Sequence, residues 1–215
     1  MARSDRRSFL LGSLALAAAP WLPARAEDLL FAEGIHYQRV QTPEPPTQGR
    51  VVEEFFSYHC PHCLHFEPLL KPWVKALPSD VKFRRTPFPL SESGIPLVRA
   101  YFALETMGRI EALHERIFEA VQIKRMPLNT REAIAGFLSS IGEDRDAFLK
   151  AYDSFGADSQ TRRTITRAMT LGVDSVPAMI VQGTWLTTGT LAGGSQAAML
   201  KVADQLLDTR ALAQK

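Results

Sequence analysis

Cys60 and Cys63 are the only cysteines in a chain of 215 residues, and they sit in the run Cys60-Pro61-His62-Cys63. A bridge between them would close so short a loop that it removes little entropy from the unfolded chain, so the pair is not there to staple the fold. The spacing suits thiol–disulfide exchange instead. If a strand ends before Cys60 and a helix opens at Pro61, Cys60 stands where unpaired backbone N–H groups and the positive end of the helix dipole meet. A thiolate is stabilised there, which makes Cys60 both a target and a good leaving group. Cys63, one turn on, is carried under the helix and shielded. Pro61 suits the first helical position, where its missing N–H is no loss. His62 can bring positive charge to the Cys60 thiolate, stabilising the reduced pair and making the disulfide more oxidising.

Other uses of such a pair fit less well. A lone C-x-x-C is often half of a zinc site, but the chain has no second such pair. His59, His62 and His65 lie close by, but adjacent ligands at His59-Cys60 are poorly arranged for one tetrahedral ion. Covalent haem requires histidine directly after the second cysteine, where Leu64 stands. We therefore expect no metal and no cofactor beyond the redox-active Cys60–Cys63 disulfide itself.

The surrounding pattern supplies the elements that would position the pair. Residues 50–58 (RVVEEFFSY) read as a strand with apolar residues on both parities, as in a sheet covered on both faces. Phe66, Leu69, Leu70, Trp73 and Leu77 recur at helical spacing after Pro61, with Pro68 and Pro72 as potential kinks. A short strand is expected within 35–40 and another over 81–88. The period turns helical from about 93 to 171, with segments at 97–107, 110–122, 130–141, 144–155 and 158–171. Asn129 and Glu132 suggest a capping box for the third of these, with Gly142 at its end. Gly172 stops the run. Residues 178–181 and 184–188 then read as a hairpin turning at Gln182-Gly183, before a closing helix over 194–212. The order β, β, α, β, helical block, β, β, α predicts an α/β thioredoxin fold with an inserted all-helical domain. Its parts would be 27–92 and 172–215 for the thioredoxin-like unit and 93–171 for the insertion.

Residues 1–26 stand apart. Arg3, Arg6 and Arg7 precede an apolar run from Phe9 to Ala19, and Ala24-Arg25-Ala26 offers small residues for cleavage. We read a signal peptide. Asp5-Arg6-Arg7-Ser8-Phe9-Leu10 also resembles a twin-arginine signal, and Sec and twin-arginine export both fit this leader. Without this leader, which holds four Arg and one Asp, the chain has 21 basic and 22 acidic residues. No cationic surplus remains to argue for nucleic acid.

Two separated segments carry a family resemblance. Glu54 to Glu67 (EFFSYHCPHCLHFE) is similar to the active-site segment of the DsbA family of thiol–disulfide oxidoreductases. Gly172 to Met179 (GVDSVPAM) is similar to the loop in which that family places a cis-proline opposite the cysteine pair. The resemblance implies an enzyme that introduces disulfides into newly exported proteins in the periplasm and is reoxidised by a quinone-linked membrane partner like DsbB. It makes Cys60 the sulfur that meets substrate and Cys63 the resolving one, with Val176 and Pro177 lining the substrate groove. Glu54 matches a buried acid beneath the active site, able to exchange a proton with Cys63. Glu53 and Glu54 point to opposite faces, and the strand pattern does not decide which is buried. Glu67 also aligns, and we rank it below Glu54. His59 replaces the hydrophobic aromatic often found before the first cysteine. A monomer is expected. A disulfide isomerase or reductase of the same fold is the nearest rival, although the stretch before Arg50 is short for the dimerisation domain such isomerases carry. A periplasmic Cys/His metal-binding protein is the rival from another class.

Overall fold

The computed structural model describes residues 31–42 and 50–213, with side chains described up to 208. The leader expected over 1–26 and most of the loop after Thr42 lie outside the described residues.

A mixed five-stranded sheet forms the centre, in the order β1-β5-β4-β2-β3. Its strands are β1 (Gln38–Arg39), β2 (Arg50–Phe56), β3 (Val81–Pro87), β4 (Ala178–Val181) and β5 (Trp185–Thr188). β2 and β3 run parallel, so a crossover must join them, and α1 (Pro61–Ala76) supplies it. β4 lies antiparallel to β2, with Phe55 opposite Ala178 and Glu54 opposite Met179. That pairing decides the geometry of the site: the end of β2 leading to Cys60 lies beside the residues that precede β4, Val176 and Pro177.

Both sheet faces are covered, as the mixed parity of β2 required. Val52 packs with Phe66 and Leu70 of α1 and with Met199, Val202 and Leu206 of α7 (Gln196–Ala213). Phe55 packs on the opposite face with Ala168 and Leu171 of α6 (Phe155–Leu171). Pro68 and Pro72 are exposed, so the bonds that α1 loses at these prolines lie on its outer side and the helix runs through both.

Between β3 and β4 stand the helices α2 (Ile95–Thr106), α3 (Ile110–Phe118), α4 (Arg131–Ser140), α5 (Arg145–Tyr152) and α6, with a short 3₁₀ turn over Glu92–Gly94. They enclose a second core around Leu104, Leu113, Phe118, Leu138 and Phe148, to which Phe56 and Tyr58 also belong. Three of them, α4, α5 and α6, start at side-chain caps. Thr130 Oγ1 accepts from Ala133 N–H at 3.2 Å, so the cap of α4 is Thr130 rather than Asn129; N3 is then Ala133, Glu132 stands at N2, and the expected capping box does not form. Asp144 caps α5 through the N–H groups of Asp146 and Ala147. Ser154 accepts from Ala157 N–H at 3.1 Å, which divides α5 from α6 and begins α6 earlier than the apolar period suggests. α3 continues into a π-helical turn over Glu119–Ile123. Gly172 ends α6 at φ +76°, a conformation that glycine adopts without strain. The β4–β5 turn is closed by Thr184 N–H to Val181 O at 3.1 Å, with Gln182 and Gly183 at φ +55° and +65°.

Candidate active site

Cys60 is the N-cap of α1 and keeps extended backbone angles (φ −93°, ψ 114°), with Pro61 in the first turn. Its carbonyl accepts from the N–H of Cys63 at 3.1 Å and of Leu64 at 3.3 Å, while its own N–H bonds Ser57 O at 3.0 Å. The sulfur is therefore held at the helix start with both neighbours fixed. Cys60 keeps 5 % exposure and Cys63 none, and both are free thiols. Cys63 Sγ accepts from Ser57 N–H at 3.5 Å, and the Cys60 thiol points to Val176 O at 3.3 Å.

These surroundings drive the two thiols apart. Cys60 is lowered to about 6, chiefly by the hydrogen bond from the Cys63 thiol. The backbone N–H groups of Cys63 and His62 and the His62 charge add to this, against the cost of burial. Burial pushes Cys63 upward, and a proton shared with Cys60 and the charge on Glu54 push it further. One sulfur is ready to ionise and the other holds its proton.

The Val176–Pro177 peptide bond is cis. Val176 and Pro177 line a groove of about 170 Å³ together with His62, Ser175, Thr188 and Gln196. His62 is exposed at its edge, and its carbonyl accepts from Gln196 Nε2 at 2.5 Å. The structure thus brings Cys60, His62, Val176 and Pro177 together at one surface. Among the described residues, no group of three or more His, Cys, Asp or Glu side chains is placed to hold a metal ion.

Glu53 and Glu54 are both buried, at 2 % and 0 % exposure, on opposite faces of the sheet. Glu53 is fully engaged: Arg167 Nη2 donates at 2.6 Å, Arg84 Nη2 stands at 2.7 Å and Thr86 Oγ1 donates at 2.5 Å. Glu54 lies on the α1 side and has no hydrogen bond at either oxygen. Its nearest charge is Arg85, with Nε 3.4 Å from Oε2 but outside hydrogen-bonding geometry. Burial, aided by the charge on Glu67, raises Glu54 to about 8 in spite of Arg85.

The DSBA-like thioredoxin domain model matches residues 51–203. The chain belongs to the DsbA family. A thiol:disulfide interchange protein DsbA from Pseudomonas aeruginosa is 34% identical over 212 residues, covering 98% of this chain and 99% of that protein. Its namesake from Bordetella parapertussis is 34% identical over 201 residues, covering 92% and 94% respectively. The crystal structure of Pseudomonas aeruginosa DsbA superposes with a TM-score of 0.80 at 35% identity, covering 86% of this chain and 97% of that one. The fold is accordingly a thioredoxin fold with inserted helices. Like its DsbA relatives, this protein is a thiol–disulfide oxidoreductase that introduces disulfide bonds by dithiol–disulfide exchange. The isomerase and metal-binding alternatives are not favoured.

Sequence reasoning passed over part of the site. Glu67, ranked low, is buried and accepts from Arg85 Nη2 at 3.0 Å and bonds His114 Nε2 at 3.1 Å. His114 Nδ1 in turn meets the Tyr58 hydroxyl at 2.9 Å. Gln122, in the π turn, donates to Tyr58 O at 2.8 Å. His114 falls on the same helical stripe as Ile110, Leu113, Ile117 and Phe118, all buried. A histidine on such a stripe is the signal that could have found it.

Proposed function

We propose that Cys60 is the sulfur that exchanges with substrate and Cys63 the one that resolves, with Pro61, His62 and Glu54 modulating the pair and Val176 and Pro177 forming the substrate groove. The observation that carries this reading is the asymmetry of the two thiols. Cys60 is acidic and lies at the groove, while Cys63 is fully buried above an uncharged-prone carboxyl.

The steps balance as follows. A substrate thiolate attacks Cys60 of the oxidised pair, the S–S bond breaks, and Cys63 leaves as a thiolate. Glu54, protonated at neutral pH when its value lies near 8, gives Cys63 its proton and is itself reprotonated from solvent. A second substrate thiolate then attacks the substrate sulfur of the mixed disulfide. Cys60 departs as a stabilised thiolate, and the substrate leaves with a new disulfide. Two electrons remain on the reduced pair. We assign their removal to a DsbB-like quinone-linked membrane oxidase, with Glu54 first releasing its proton to solvent and then, as the carboxylate, taking the proton of Cys63.

Substrates in this reading are newly exported proteins with free thiols, acted on in the periplasm by a monomer after removal of residues 1–26. No described helix is long and apolar enough to cross a membrane. Residues 93–171 form the inserted domain and 27–92 with 172–215 the thioredoxin-like one. No cofactor beyond the Cys60–Cys63 disulfide is required. Equilibration of the purified protein against glutathione tests the direction of transfer. An oxidant reaches half-reduction at reducing power far too weak to reduce an ordinary structural disulfide. Half-reduction only under strongly reducing buffer would make the protein a reductase.

A further inference from the structure

The cluster beneath Cys63 holds two carboxyl groups, Glu54 and Glu67, and one guanidinium, Arg85, close enough to balance a single negative charge. One proton must therefore remain in the cluster, and hydrogen bonds decide which carboxyl keeps it. Glu67 receives two, from Arg85 and His114, whereas Glu54 receives none. We propose that His114, brought to the site by the inserted helices, is a positioning residue for the proton of Cys63: it fixes Glu67 as the carboxylate and so leaves the proton to Glu54.

The tautomer follows from the partners. A carboxylate only accepts, so His114 Nε2 must carry the hydrogen that faces Glu67 Oε1. In a neutral ring Nδ1 is then the acceptor, and the Tyr58 hydroxyl donates to it. Burial holds His114 below the usual histidine value and thus neutral, even though contact with Glu67 opposes this. Burial also disfavours charge on Glu67, but the hydrogen bonds from His114 and Arg85 and the charge of Arg85 outweigh it and keep this carboxyl below its ordinary range. The groups facing the cluster are few in kind. Lys71 and Lys75 of α1 and Glu111 and Glu115 of α3 line a cavity of about 200 Å³ at which Glu67, Arg85 and His114 meet. Tyr101 of α2 approaches Arg85 O at 3.4 Å. Lys71 is paired with Glu115 at 2.5 Å, so its charge is balanced outside the cluster. Tyr58 is gripped at its carbonyl as well, by Gln122, so α3 and its π turn hold the segment leading into Cys60 at two points.

This deepens the reading above and rests on Glu54 being the proton partner of Cys63. It is tested on the reduced full chain by following the Glu54 carboxyl through a pH titration with ¹³C-labelled glutamate, assigned with Glu54→Gln. His114→Gln places an amide donor where Nε2 was and keeps the bond to Glu67. His114→Asn reaches only the Nδ1 position, keeping Tyr58 and losing Glu67. The Asn variant is expected to lower the Glu54 midpoint from about 8 by about one pH unit or more, because Glu67 now competes for the proton. The Gln variant is expected to restore it. An unmoved midpoint in the Asn variant, or equal movement in both, overturns the proposal. The pH profile of mixed-disulfide formation separates the two levels. If Glu54→Gln leaves that profile unchanged, the role given to Glu54 fails, whatever the titration shows, and the link from His114 to Cys63 fails with it. If Glu54→Gln flattens the profile and His114→Asn does not displace it, only the role of His114 is lost.

Discussion

The Cys60 sulfur lies 3.3 Å from the backbone oxygen of Val176, across 116 residues of chain. A carbonyl is a poor neighbour for an anion, so this contact favours the thiol, and the acidity of Cys60 has to come from the other side. There the Cys63 thiol, two backbone N–H groups and His62 all face the same sulfur. Ionisation thus frees Cys60 from Val176 and turns it into a nucleophile at the edge of the groove. In the reduced protein, ultraviolet absorbance of the thiolate should rise in one transition near about 6. Cys63 should contribute none over the range in which the fold survives. A single transition near the ordinary thiol value of about 8.5 would refute this assignment.

The same acidity makes the reduced protein the more stable form near neutral pH. The folded value of Cys60 lies below its unfolded one, so its contribution is complete above the unfolded value near 9 and is lost as pH falls through about 6. The disulfide, which closes so short a loop, offers little in return. Denaturant midpoints should be higher for the reduced form at about pH 7, and the gap should close toward about pH 5. An oxidised form that is clearly more stable at both values would contradict the argument.

Glu53 and Glu54, neighbours in sequence, should respond in opposite ways to the same substitution. Glu53→Gln removes the charge that Arg84 and Arg167 share and should cost on the order of 2 kcal/mol, with thiol exchange unchanged. Arg84 is half-exposed and relieves part of the penalty. Glu54 is raised above its unfolded value, so its favourable contribution is full below about 4.5 and lost as pH rises through about 8. Glu54→Gln lacks that loss. It should therefore gain stability over the natural protein as pH rises through this window, by on the order of a few kcal/mol. Chemical denaturation of both variants across that range gives the comparison; parallel curves for Glu54→Gln and the natural chain would mean that Glu54 is not buried uncharged.

Much of this was legible in the sequence because it is local. The strand over 50–58, the Pro61 helix start and the C-x-x-C spacing are each set by neighbouring residues, and the element order followed from their periods. What stayed hidden was decided at a distance. A strand covered on both faces gives no parity signal, so only Arg167, brought in by α6, and α1 on the other side reveal that Glu53 and Glu54 are both buried. The cap at Thr130 instead of Asn129 turns on one residue of backbone geometry, which a capping pattern does not resolve. The π turn after Phe118 is a departure from the helical hydrogen-bond pattern that side-chain periodicity does not report, and it carries Gln122, which donates to Tyr58 O.

Single-cysteine variants test the roles within the pair. Cys63→Ser leaves Cys60 at the helix start, with the helix N–H groups and His62 still favouring its thiolate. It loses the thiol that donates to Cys60, so the midpoint of Cys60 should rise somewhat while its nucleophilic character persists. Mixed disulfides with substrate proteins should then accumulate, because the sulfur that would attack Cys60 and expel the substrate is gone. Cys60→Ser leaves only Cys63, which has no exposed surface, holds its proton because it is buried and faces Ser57 N–H rather than the groove. It should trap nothing. Non-reducing gels of cells expressing each variant read the adducts directly, and a thiol-specific alkylating reagent on the purified variants gives an independent measure of access. Cys60 should be alkylated fast near neutral pH and Cys63 only after denaturation. Equal trapping by the two variants, or equal alkylation of the folded proteins, would mean that Cys63 is open to solvent in the working enzyme, and the division of labour assigned here would be wrong.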